Sequence, residues 1–374
     1  MSEYQWIEFR AVDRPLDDAS LEFMRQQSSR AEMSRWSFTN EYHFGDFRGD
    51  VDQMMRRGYD VHVHYANFGI RRIAFRMPDG FPFADAIKPY LFEEGIFWEP
   101  DGTGTAGILT LEPEGDAGTW EWMEDVQSLA SDLIPIREML IVGDLRPLYI
   151  AHLAFNWDDD AIEPPVPAGL RDQHYALDRL RSFYEIDPDL LSVASEASPE
   201  QNKNASDDSM IDNWMASLSE AELAENLRRC LTEPKLAASQ LLTTIRTQAS
   251  EAPNLGTGER TLGQLREAAS KIEAERLRIQ LAEAAKRSAE QKAAAEKALE
   301  KQLASIAENP ELTIGRIDSA ISEKNRPAYQ RAAKQLGLLA MACGKPMADA
   351  KADAIRQKYP TRSALSSELK KEGF

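Results

Sequence analysis

The chain has 374 residues, of which 43% are hydrophobic and 28% charged, and it carries a formal net charge of −18 with only two cysteines. That length allows two or three domains around a sizeable core. Cys230 and Cys343 stand far apart without metal-ligand neighbours, which excludes a disulfide framework and points to a reducing compartment. The first residues show no basic stretch followed by an apolar run, as a secretory leader would. The most apolar stretch, 139–155, is interrupted by Asp144, Arg146 and Pro147, short of the roughly 20 residues a membrane span needs. The expected location is the cytoplasm. The charge is uneven: residues 1–200 hold 17 basic against 38 acidic side chains, and residues 201–374 hold 27 against 24. So acidic a first half repels phosphate backbones, and no nucleic-acid binding is expected of it.

In chain order, 4–12 reads as a strand with Gln5, Ile7 and Phe9 on one face and Tyr4, Trp6 and Glu8 on the other. Asp17 and Asp18 open a helix expected to reach about Met33, and 35–42 is a second strand. A short helix over 50–57 stops at Gly58. The alternation at 61–65 and the segment 71–77 predict two strands joined by a hairpin turn. A glycine-rich turn precedes a further strand at 107–111. From residue 122 the period becomes helical, with Val126, Leu129, Leu133, Ile136 and Leu140 on one face. Pro147 suits the start of a helix running to about Trp157, in which Leu148, Ile150, Leu153 and Trp157 read as core. Asp144 is the expected cap of that helix. Two short helices follow, up to about Ser195.

The polar stretch 195–209 is the best linker in the chain. Helices are expected at 210–232 and 235–249, divided by Pro234. Residues 257–308 are built almost wholly from strong helix formers, and if continuous make a rod of roughly 75 Å. Leu262, Leu265, Ala269 and Ile272 begin a heptad series, but Arg276 and Glu283 break it, and 282–298 offers only alanine as an apolar side chain. A coiled coil needs three to four sustained heptads, so a solvated spacer is favoured over a dimerising or partner-binding helix. The last 64 residues read as three or four short helices.

Gly102, Gly104 and Gly107 match the G-x-G-x-x-G fingerprint, but Gly107 enters a strand pattern where that motif requires a helix, so a glycine-rich hairpin is the reading. His62 and His64 alternate on one strand, and with His43 they would supply three nitrogen ligands of the kind a catalytic zinc uses. The loop 40–50 mixes polar, aromatic and glycine residues densely. Within it Glu41, His43 and Asp46 are the candidates for acid–base work, and Asn40, Tyr42, Phe44 and Arg48 for binding. The bland reading has Asp46 and Asp50 capping turns and Arg48 pairing with them. Phosphate-loop, nucleophile-elbow and paired-cysteine motifs are absent, and no cofactor is expected.

The words IEFRAVDRPL (7–16), NEYHFGDFRGD (40–50) and GDLRPLY (143–149) together resemble a family of uncharacterised bacterial proteins, across most of the first 200 residues. The segments 325–336 and 363–374 resemble the helical tail of bacterial SWIM zinc-finger proteins, without the zinc ligands of such a finger. The resemblance implies a bacterial cytoplasmic protein and carries no activity.

The expected fold class is α+β: a mixed α/β domain with a small, mostly antiparallel sheet over 1–195, then a mostly helical half. That half comprises a linker (196–210), a helical segment (211–256), the long charged helix (257–309) and a small helical module (310–374). The expected function is that of a non-enzymatic interaction or adaptor protein with protein partners, no membrane, and the long helix as one route to a homodimer. The alternative is an unrecognised, metal-dependent hydrolytic enzyme with its site near His43, His62 and His64.

Overall fold

The computed structural model describes residues 3–102, 104–114, 123, 125–201, 207–249 and 252–374. It forms two compact units, Met1–Ala274 and Glu275–Phe374. Of the expected linker, residues 202–206 lie outside the described residues.

The first unit is organised by an antiparallel sheet. Its strands are β1 (Gln5–Arg10), β2 (Glu32–Met33), β3 (Ser37–Tyr42), β4 (Val61–Ala66), β5 (Ile70–Met77), β6 (Ile96–Pro100) and β7 (Gly107–Leu111), in the order β2-β3-β1-β4-β5-β7-β6. Side chains alternate across it. Trp6, Val63, Tyr65, Ile73, Phe75 and Leu109 face a large core. Ile7, Phe9, Phe38, Ala74 and Ile108 face a smaller one. Helices α1 (Asp18–Gln27) and α2 (Val51–Arg57) cover the smaller face through Met24, Met54 and Met55. Asp50 caps α2 by accepting from the Gln53 amide at 3.0 Å, and Gly58, at φ 158°, closes it.

The large core is covered by α3 (Leu129–Asp132), α4 (Ile134–Ile141), α5 (Arg146–Phe155), α6 (Tyr175–Phe183) and α7 (Pro188–Ala194). Leu129, Leu133, Ile136, Leu140, Leu148, Ile150 and Leu153 are all buried in it, as their periodicity predicts. Trp157 is not: it lies beyond the end of α5, 77% exposed, with the Arg266 guanidinium 5.2 Å from its ring. Asp144 precedes the first turn of α5 without capping it, its carboxylate engaged by the backbone amide and guanidinium of Arg146. The first helix also stops earlier than its composition predicts. At its end the Ser28 hydroxyl serves the Arg30 amide and the Asn40 side chain, which frees 32–33 to pair with β3.

Helices α8 (Asp207–Ser217), α9 (Glu220–Thr232) and α10 (Pro234–Ala249) follow. Thr243 of α10 donates to Asp13 at 2.9 Å, and Ile245 and Ala237 are buried. The chain then returns to the first unit. Strand β9 (Leu255–Gly256) pairs with β8 (Val166–Pro167). Arg260 grips the buried Glu163 with two bonds, at 2.6 and 2.9 Å. The 47-residue helix α11 (Leu262–Glu308) then begins by burying Leu262, Leu265 and Ala269 in the large core. The start of the apparent heptad series is therefore a docking stripe within one chain. From 270 to 302 every residue of α11 is exposed.

In the second unit, α12 (Pro310–Ser322), α13 (Arg326–Cys343), α14 (Lys345–Lys358) and α15 (Ser363–Lys371) enclose a core with Ile306 of α11. Helix α13 is central, packing on the other three, and its Ala332 and Ala333 are fully buried small residues that permit close approach. No helix among the described residues is long and apolar enough to cross a membrane.

Candidate functional site

The loop between β3 and α2 is seated by one aromatic and one amide. Phe47 packs against Phe9, Phe38 and Tyr42, with ring centroids 6.0–6.5 Å away. Gln5, buried on β1, donates from its amide nitrogen to the Gly45 carbonyl at 3.0 Å and to Asp46 Oδ1 at 3.1 Å. Its amide oxygen lies 3.0 Å from His64 Nε2. With the nitrogen committed to two acceptors, the oxygen must accept, so His64 carries its proton on Nε2. Burial foremost, and then the Arg72 cation, lower the His64 pKa to about 4, against a small opposing pull from Asp46. The imidazole is neutral at pH 7.

His62 is sealed. Its ring stacks on Phe9 at 4.1 Å, and Nδ1 donates to the Glu8 carbonyl at 3.1 Å. Burial, then Arg72 and His64, hold its pKa well below the usual value. Its Nε2 is buried without a hydrogen-bond partner, as are Asn40 Oδ1, Arg72 Nε and Thr110 Oγ1. The pairing register sets these groups on one face. Ile7 lies opposite both Asn40 and His64, His64 opposite Arg72, and Ala74 opposite both His62 and Thr110. A polar strip thus crosses the middle of the sheet on the same side as the loop, with Arg72 reaching Glu112 at 3.5 Å.

His43 belongs to a different environment. It is largely exposed, 3.1 Å from Glu41 and 5.8 Å from the Tyr4 ring. The three histidines considered as a ligand set are therefore not brought together, and among the described residues no group of three His, Cys, Asp or Glu could hold a metal ion. A general base needs an accessible lone pair near the working pH. His62 offers no access, and His64 titrates far below neutrality. Of the binding candidates, Asn40 is buried and donates to Ser28 and to the Tyr42 hydroxyl, whereas Phe44 is 77% exposed at the loop tip and Arg48 is exposed. Asp50 is a cap and Asp46 a latch on Gln5, and neither pairs with Arg48 among the described residues.

Gln5, Arg72 and Thr110 are the members of the strip that sequence reasoning passed over. The available signal was a polar residue on the inward face of a strand, at Gln5 beside Ile7 and at Arg72 beside Ala74. A recess of about 850 Å³ lies elsewhere, between α6 and α7, lined by Leu170, Arg181, Glu185, Ile186 and Leu191. Two of its ionic groups are engaged, Arg181 with Asp178 at 3.0 Å and Glu185 with Arg71 at 2.6 Å.

Compared with known proteins, the chain matches no family model, no curated protein and no solved structure.

Proposed function

We propose that the chain is a non-enzymatic interaction protein, in which the acidic first unit and the helical second unit each engage a protein partner and the long helix serves as a spacer. The observation that carries this reading is the exposure of α11 on every side from 270 to 302. A helix polar all round, held at its ends, suits a solvated connector better than a core element. Charge supports it further. Residues 1–274 hold 25 basic against 49 acidic side chains, a net of −24, and residues 275–374 hold 19 against 13, a net of +6. Two surfaces of opposite sign attract different partners and steer their encounter. The neutral, internally bonded histidines support a structural role for the polar strip, which seats the loop 43–50 and leaves Phe44 displayed.

The test is affinity purification from the native host of the full chain, of 1–274 and of 275–374. The reading expects each half to retain a different, reproducible partner and the full chain both. Retention of no partner by any of the three would overturn it.

A further inference from the structure

Among the described residues, the two most exposed aromatic side chains are Phe44 and Trp157, each at 77%. Trp157 has the Arg266 guanidinium over its ring, whereas no ring contact or cation is found at Phe44. The backbone that presents Phe44 is nevertheless held on both sides. Before it, the His43 ring lies 5.8 Å from that of Tyr4. After it, the Gln5 amide nitrogen donates to the Gly45 carbonyl and to Asp46 Oδ1, and His64 in turn fixes the orientation of that amide. Gly45 turns at φ 79°, which glycine adopts without strain. Phe47 is tucked beneath the loop so closely that a Cβ on Gly49 would lie 2.4 Å from its ring. At the far end the Asp50 amide donates to Gln27 Oε1 at 2.9 Å.

A buried amide with both ends bonded specifies a conformation. The conformation specified here holds an apolar ring in water. A ring fixed before contact loses little freedom on binding, which is how an interface anchor gains affinity. The surrounding charge selects what the ring enters. Glu41, Asp46 and Asp50 flank Phe44 in sequence against Arg48 alone, within a unit that holds 25 basic and 49 acidic side chains. Anionic membranes, nucleic acids and the first unit of a second copy all repel such a surface. A basic rim around an apolar pocket is attracted and oriented by it.

We propose, resting on the interaction-protein reading, that Phe44 is the anchor by which the first unit binds its protein partner. The ring enters an apolar pocket rimmed by lysine or arginine side chains, and the Gln5 latch holds it ready to do so.

The probe is a photo-reactive ring, Phe44→p-benzoylphenylalanine, in the full chain illuminated in the native host. Tyr175→p-benzoylphenylalanine, at a side chain 59% exposed, is the control. One reproducible adduct is expected at 44 and not at 175, on an apolar segment of a second protein with Lys or Arg beside it. That protein, once purified, should bind the full chain at least about tenfold more weakly after Phe44→Ala. Asp46→Ala removes the latch, whereas Asp46→Asn removes only the charge and keeps an oxygen for Gln5. The alanine variant should therefore bind more weakly than the asparagine variant. No adduct at 44, an adduct on lipid, nucleic acid, an acidic segment or a second copy of this chain, or an affinity unmoved by Phe44→Ala, would overturn the anchor. If residues 1–274 retain a partner in affinity purification while position 44 gives no adduct, the anchor fails and the interaction reading stands. If no form of the chain retains a partner, both fail.

Discussion

Arg260→Ala should unfold the first unit more readily than its position, far beyond the large sheet in sequence, would lead one to expect. Glu163 is 3% exposed, and Arg260 supplies it with two short bonds while also donating to the carbonyls of Val193 and Ala194 at 3.0 and 3.1 Å. Truncation leaves the carboxylate with the Tyr149 hydroxyl at 2.5 Å as its main partner and strands two carbonyls. Breaking a buried pair from one side costs about 3–5 kcal/mol. The Arg260 side chain keeps 25% exposure, which places the loss near the lower end, at about 3 kcal/mol. In a domain of this size that lowers the melting temperature by about 6–12 °C. All seven tryptophans lie within 1–274, so thermal unfolding followed by tryptophan fluorescence reports this unit alone. A shift below about 1 °C, within ordinary surface effects, would refute the claim that 255–269 is an integral part of the first unit.

Acid should weaken the same unit. The His64 pKa is lowered to about 4 in the fold from an ordinary 6.5, so above pH 6.5 the group adds nothing to the pH dependence. As pH falls from 6.5 to 4 the unfolded chain takes up the proton first, and stability drops by up to about 1.4 kcal/mol per pH unit per histidine. Urea titrations at several pH values should show this drop, and His64→Gln should flatten it. Leu148→Ala should cost about 2–5 kcal/mol and Trp157→Ala less than about 1 kcal/mol in the same titration, because the first side chain is fully buried and the second exposed over Arg266. Ala332→Leu should destabilise the second unit by about 1–3 kcal/mol through overpacking. It should move the helical circular-dichroism transition while leaving tryptophan fluorescence in place.

Local chemistry made much of this fold legible. The alternation in β1 assigns Ile7 and Phe9 to one core and Trp6 to the other, and Asp50 and Gly58 bracket α2 as their types require. Strand β6 escaped because Pro100 ends it and only Ile96, Phe97 and Trp98 mark it. The proline, at the sheet edge, has no amide to offer a further strand. Leu262, Leu265 and Ala269 illustrate a deeper limit: a stripe that docks on its own domain has the same spacing as the first heptads of a coiled coil. The site residues met the same limit. His43, His62 and His64 are chemically alike, and only pairing across β1, β4 and β5 decides that one is sealed, one latched to Gln5 and one left in solvent.

Hydrogen exchange along α11 tests the central claim, that this helix is a spacer and not a packed element. Amides at 262–269, beneath buried Leu262 and Leu265, should exchange slowly, whereas those at 276–300 should exchange orders of magnitude faster through local opening. Protection over 276–300 equal to that of the docked first turns would contradict it.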